Sequence, residues 1–149
     1  MQLLRDAALR TTLDDAQARN GIPGQHLAQR IAEGLRTRGV GCDEVYRDEP
    51  FWSFSVRTAV REVHVSAYLY LPDDVAEKAI WGVTLFAPVP GLLRRLLSPP
   101  DESDLQPILE ALHTVLASDD AIWDVRWFKE LTPEPYEADS YSYYPVISA

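Results

Sequence analysis

The chain of 149 residues is poor in the residue types that most often announce a chemistry. It has one cysteine, Cys42, so no disulfide can form within it and its fold must rest on burial. Two carboxylates, Asp43 and Glu44, stand beside that thiol and disfavour a reactive thiolate. The three histidines, His26, His64 and His113, are scattered, with no HxH or i, i+4 pair of the kind that holds zinc. Lysine is nearly missing, with Lys78 and Lys129 alone among 14 basic residues, and no basic stripe suited to nucleic acid is present. Glycines form neither GxGxxG nor a P-loop, and Gly39-Val40-Gly41 follows a predicted helix instead of opening one. No apolar run approaches the roughly 18 residues that cross a bilayer. Arg5, Asp6 and Arg10 interrupt the place where a signal peptide would carry its apolar core. The expectation is a cytoplasmic protein with no metal, no cofactor and no nucleic-acid partner.

What is present is negative charge, and it is placed unevenly. The net charge is −9; residues 1–100 hold 12 acids and 12 bases, whereas residues 101–149 hold 11 acids against Arg126 and Lys129 alone. A field of that sign repels nucleic acid and anionic lipid and speeds encounter with a basic partner. Paired acids at Asp14-Asp15, Asp43-Glu44, Asp48-Glu49, Asp73-Asp74, Asp101-Glu102 and Asp119-Asp120 fall mostly where turns are expected, and none has EF-hand spacing.

Hydrophobic periodicity supplies the architecture. Leu4, Leu9 and Leu13 with Ala7, Ala8 and Ala16 predict one or two short helices over 1–19, ended by Asn20-Gly21-Ile22-Pro23-Gly24. Leu27, Ala28, Ile31, Ala32 and Leu35 form the apolar stripe of a second helix with Gly39 as its stop. The period then becomes two. Phe51–Arg57 sets Trp52, Phe54 and Val56 against Ser53, Ser55 and Arg57. Glu62–Leu71 sets Val63, Val65, Ala67, Leu69 and Leu71 against Glu62, His64, Ser66, Tyr68 and Tyr70. A third run, 79–87, sets Trp81, Val83 and Leu85 against Ile80, Thr84 and Phe86. A short strand at 43–46 precedes this meander. Asp104 has the character of an N-cap for a helix carrying Leu105, Ile108, Leu109, Leu112, Val115 and Leu116. In the last strand, Ile122–Phe128, Trp123, Val125 and Trp127 alternate with Asp124 and Arg126.

The expected fold is therefore α+β: a two-layer sandwich in which a mostly antiparallel sheet of four to five strands carries two amphipathic helices on one face, in the order α-α-β-β-β-β-α-β. Residues 1–131 read as one domain, with 1–20 as a helical N-terminal extension. Residues 132–149, rich in tyrosine, proline and acid, read as an irregular, flexible tail that either folds back on the sheet or anchors a partner.

Candidate functional residues follow from this layout. Arg57, His64, Tyr68 and Tyr70 fall on the helix-free face, and Asp119, Asp120 and Asp124 in the acidic third. Within 90–97, Arg94 and Arg95 stand between two leucine pairs, a pattern that caps the core, docks a partner or touches a membrane surface. No catalytic residue is assigned. In size and acidity the chain resembles bacterial immunity or inhibitor proteins that neutralise toxins, which implies a non-enzymatic domain that binds another, basic, protein. The alternative is a small-molecule-binding domain or enzyme with a pocket between sheet and helices lined by Trp52, Trp81, Tyr68 and Tyr70.

Overall fold

A computed structural model describes residues 1–15, 21–88 and 101–148. Along the chain the elements are β1 (Gln2–Leu3), β2 (Asp6–Thr11), α1 (Gln25–Thr37), β3 (Tyr46–Asp48), β4 (Phe51–Arg57), β5 (Glu62–Leu71), β6 (Ile80–Phe86), α2 (Leu105–Ser118), β7 (Ile122–Phe128) and β8 (Val146–Ile147). Six strands form one antiparallel sheet in the order β3-β4-β5-β6-β2-β7, and β1 pairs with β8 in a separate two-stranded ribbon.

The meander β4-β5-β6 and the two amphipathic helices stand where periodicity placed them. Both helices cover one face of the sheet. Ile31 and Leu35 of α1 and Leu109 and Leu112 of α2 are buried in one core with Phe54, Val65, Trp81, Val83 and Trp127. The helices also meet at Gly34, where an added Cβ would lie 2.7 Å from Val115 Cγ1. At its start α1 has Gly24, with φ +120 and a backbone so near Ala67 O that only glycine fits without strain. The Asp14 carboxylate accepts from the Leu27 and His26 amides, serving as a cap reached from the preceding loop. The helix ends in a Schellman pattern, Val40 N–H to Leu35 O and Gly39 N–H to Arg36 O, with Gly39 at φ +82.

Three expectations need correction. The predicted N-terminal helix is instead β1 and β2, and β2 is an interior strand between β6 and β7. Ala7, Leu9 and Thr11 face the core while Asp6, Ala8 and Arg10 face away. That period-two pattern is blurred in the sequence, because alanines sit on both faces where a covered central strand needs small side chains. Strand count and order change accordingly, from four or five to six. Second, a bulge at Asp124, φ +53, sets two residues of β7 opposite Leu9. Ile122 and Trp127 therefore face the core, and Trp123, Arg126 and Phe128 face away, so Trp123 and Trp127 lie on opposite sides. Third, the early strand begins at Tyr46; only a bridge between Cys42 and Val56 precedes it.

Asp104 occupies the N-cap position of α2 without capping. Its carboxylate turns to Arg61 (3.0 and 3.1 Å) and to the Thr58 hydroxyl (2.8 Å), tying the start of α2 to the β4–β5 turn.

Candidate functional site

Strand register fixes what the helix-free face presents. One row runs Tyr46, Ser53, Ser66, Thr84, Asp6 across β3, β4, β5, β6 and β2; a second runs Ser55, His64, Phe86; a third starts Phe51, Tyr68, Gly82, Ala8. Hydroxyls satisfy one another along these rows. Ser53 and Ser66 Oγ lie 2.7 Å apart, Tyr68 OH and Thr84 Oγ1 3.0 Å apart, and His64 Nδ1 meets Ser55 Oγ at 3.2 Å and Tyr46 OH at 3.4 Å. Tyr68 lies across Gly82, where any Cβ would overlap its ring. Burial makes the Tyr46 and Tyr68 phenols and the Asp6 carboxyl weaker acids, raising their pKa values, and the Asp6 carboxyl accepts from Thr84 and from the Leu131 amide.

The β2–β7 half of this face is covered by the chain itself. The Tyr136 ring lies between the guanidinium groups of Arg10 and Arg126, 4.5 and 4.7 Å from its centroid, and its hydroxyl donates to Asp124 O. Arg126 also stands over Tyr141, which packs on Phe128. Ser142 bridges to Trp127, and Pro145 O accepts from the Leu4 amide as the chain enters β8. On the core side of β7, Trp127 Nε1 donates to His113 Nδ1 at 3.1 Å, so this imidazole is spent on a buried indole, and burial lowers its proton affinity.

Each residue singled out in the sequence now has a place. His64, Tyr68 and Tyr70 share the helix-free face, and exposed Arg57 stands opposite Glu62 at its end. Asp119 and Asp124 are drawn into ion pairs with Arg30 (2.7 Å) and Arg10 (3.0 Å), while Asp120 is exposed. Arg94 and Arg95 lie outside the described residues. Trp81 is wholly buried and Trp52 half-buried on the helix side, opposite Tyr68 and Tyr70, so the four rings line no common cavity.

Ser53, Ser55, Ser66, Thr84, Phe51, Phe86 and Asp6 were not singled out by sequence reasoning. All but Asp6 were legible, since the alternation that placed His64 also fixes their face. Asp6 was hidden by the helical reading of its segment.

The face offers paired donors and acceptors set among aromatic rings. Ser55 and His64 are within hydrogen-bond reach, yet the serine is buried and Nδ1 is shared with Tyr46, an arrangement that orients an imidazole for recognition more than it frees a nucleophile. Among the described residues no three His, Cys, Asp or Glu side chains converge on a metal-sized site, and no helix is long and apolar enough to cross a membrane.

Comparison with protein-family models, curated proteins and solved structures finds no match to this chain. Function must be argued from the face itself.

Proposed function

We propose that this domain is a non-enzymatic binding protein that docks another protein on the helix-free sheet face. One observation carries the reading: on the part of the sheet left by α1, α2 and the C-terminal segment, Phe86 is 59% and Tyr46 41% exposed on either side of His64, within a surface of hydroxyls and rings. Aromatic anchors beside adaptable hydroxyls are the composition of protein-binding surfaces. The excess of acids favours a basic partner, as for an inhibitor or immunity-type protein. A cytoplasmic setting fits the lone Cys42, whose thiol burial pushes up out of the reactive range.

The test is affinity capture from lysate of the native host at low salt, with the wild-type chain beside a Tyr46→Ala, Phe86→Arg double variant whose folding is checked by circular dichroism. A protein retained by the wild type and lost by the variant is the expected result. Identical capture by both chains would overturn the reading.

A further inference from the structure

We infer that the aromatic row Phe51, Tyr68, Tyr70 is the docking surface for an arginine- or lysine-bearing segment of the partner; this rests on the reading above. The row is built and held. Phe51 and Tyr68 are cross-strand neighbours with ring centroids 5.0 Å apart, edge to face, and Tyr68 and Tyr70 are 6.3 Å apart in the same manner. Gly82 gives Tyr68 its seat, and the Tyr70 hydroxyl donates to Thr132 O at 2.6 Å. All three rings are half-buried, so each keeps part of its surface toward solvent.

Charge complementarity specifies the occupant. At one end of the row, exposed Asp48 stands opposite Phe51 in the register. At the other end, Thr132, which holds Tyr70, also lines a shallow cleft of about 290 Å³ with Pro133, Glu134, Glu137 and Ala138. Glu134 and Glu137 line this cleft together, the Glu137 amide donating to Glu134 O at 3.1 Å, and Glu137 raises the proton affinity of Glu134. Four other acids of the last third are matched: Glu102 with Arg5, Asp104 with Arg61, Asp119 with Arg30, Asp124 with Arg10. Among the described residues, Glu134 and Glu137 have no such arginine. Carboxylates near the end of an aromatic row draw a cation by charge, and the ring faces add a second attraction.

A blocked hexa-arginine peptide, with hexa-citrulline as its uncharged counterpart, tests this by amide chemical-shift titration of the full chain. Arginine-dependent shifts are expected at Tyr70, Thr132, Glu134 and Glu137, absent with citrulline. Glu134→Gln with Glu137→Gln, both at the surface, should weaken binding roughly tenfold without changing the melting temperature. Gly82→Ala should displace the Tyr68 ring and weaken binding while leaving the carboxylates intact. Shifts spread equally over Asp101, Asp120 and Asp139, or undiminished binding by the glutamine variant, would overturn the inference. Capture of the native partner that is lost on changing Tyr46 and Phe86 but indifferent to Glu134 and Glu137 would overturn it while leaving the broader reading standing.

Discussion

Asp104 and Asp6 are both partly buried carboxylates, and their surroundings push their acidities apart. Burial raises Asp104, but the hydrogen bonds and charge of Arg61 and the Thr58 hydroxyl outweigh it and hold the carboxyl below the usual aspartate range. Stability from this group is present above about pH 3.9, the value in an unfolded chain, and is lost as pH falls through the lower folded value. Asp104→Ala should cost about 2 kcal/mol at pH 7 by denaturant titration, and the gap from wild type should close in acid. Asp6 runs the other way. Burial exceeds the pull of Thr84, the Leu131 amide and Arg5, so the carboxyl holds its proton more tightly in the folded chain than in the unfolded one. Its contribution is present below about pH 3.9 and falls away as pH rises through the raised folded value. Asp6→Asn, neutral throughout, should match or exceed wild-type stability at pH 7, by up to about 1 kcal/mol, and should flatten the pH profile above pH 4. A clear loss would show that the charged form is needed to hold the segment at Leu131.

Helix packing turns on one contact of similar scale. At Gly34 an alanine gains about 1 kcal/mol of intrinsic helix propensity, but its methyl enters space held by Val115, and overpacking costs about 1–3 kcal/mol. Gly34→Ala should therefore destabilise on balance, and adding Val115→Ala should recover part of the loss, a coupling read from a double-mutant cycle. Purely additive effects would mean that the helices shift freely. Elements whose burial is one-sided were legible in the sequence: Leu27 to Leu35, Leu105 to Leu116, Val63 to Leu69. Those whose environment comes from distant chain were not. β2 is covered on both faces, so Ala7 and Ala8 carry no contrast for a period to show, and the Asp124 bulge moves Trp123 across the sheet without any glycine to announce it. The candidate face divides the same way. His64, Tyr68 and Tyr70 followed from alternation, whereas the matching of Asp119 to Arg30 spans 89 residues and leaves no local trace.

At the scale of the molecule, the acidity that reads as one block along the chain is dispersed in space. Four arginines from residues 1–100 each take one acid from the last third, so those pairs join the chain's beginning to its end. Apart from the partly buried Arg61–Asp104 pair, they add little stability individually. Their effect is to leave a smaller set of carboxylates without an arginine, Glu134 and Glu137 beside Thr132 among them. Partner capture should accordingly weaken with ionic strength more than the melting temperature does, a comparison made by repeating both measurements from about 50 to 300 mM salt.

Gln2 pairs with Ile147 and Leu3 with Val146, and this small ribbon holds two segments far apart in sequence side by side. Order of synthesis is then separable from order of folding. A circular permutant that joins Ala149 to Met1 through a few glycine and serine residues, opened between exposed Asp74 and Val75, should fold with near-native cooperativity, because the added closure is short. In it the Asp6–Thr11 strand would no longer be an early segment waiting for partners, but an internal one made after its neighbour β7, with β8 and β1 between them.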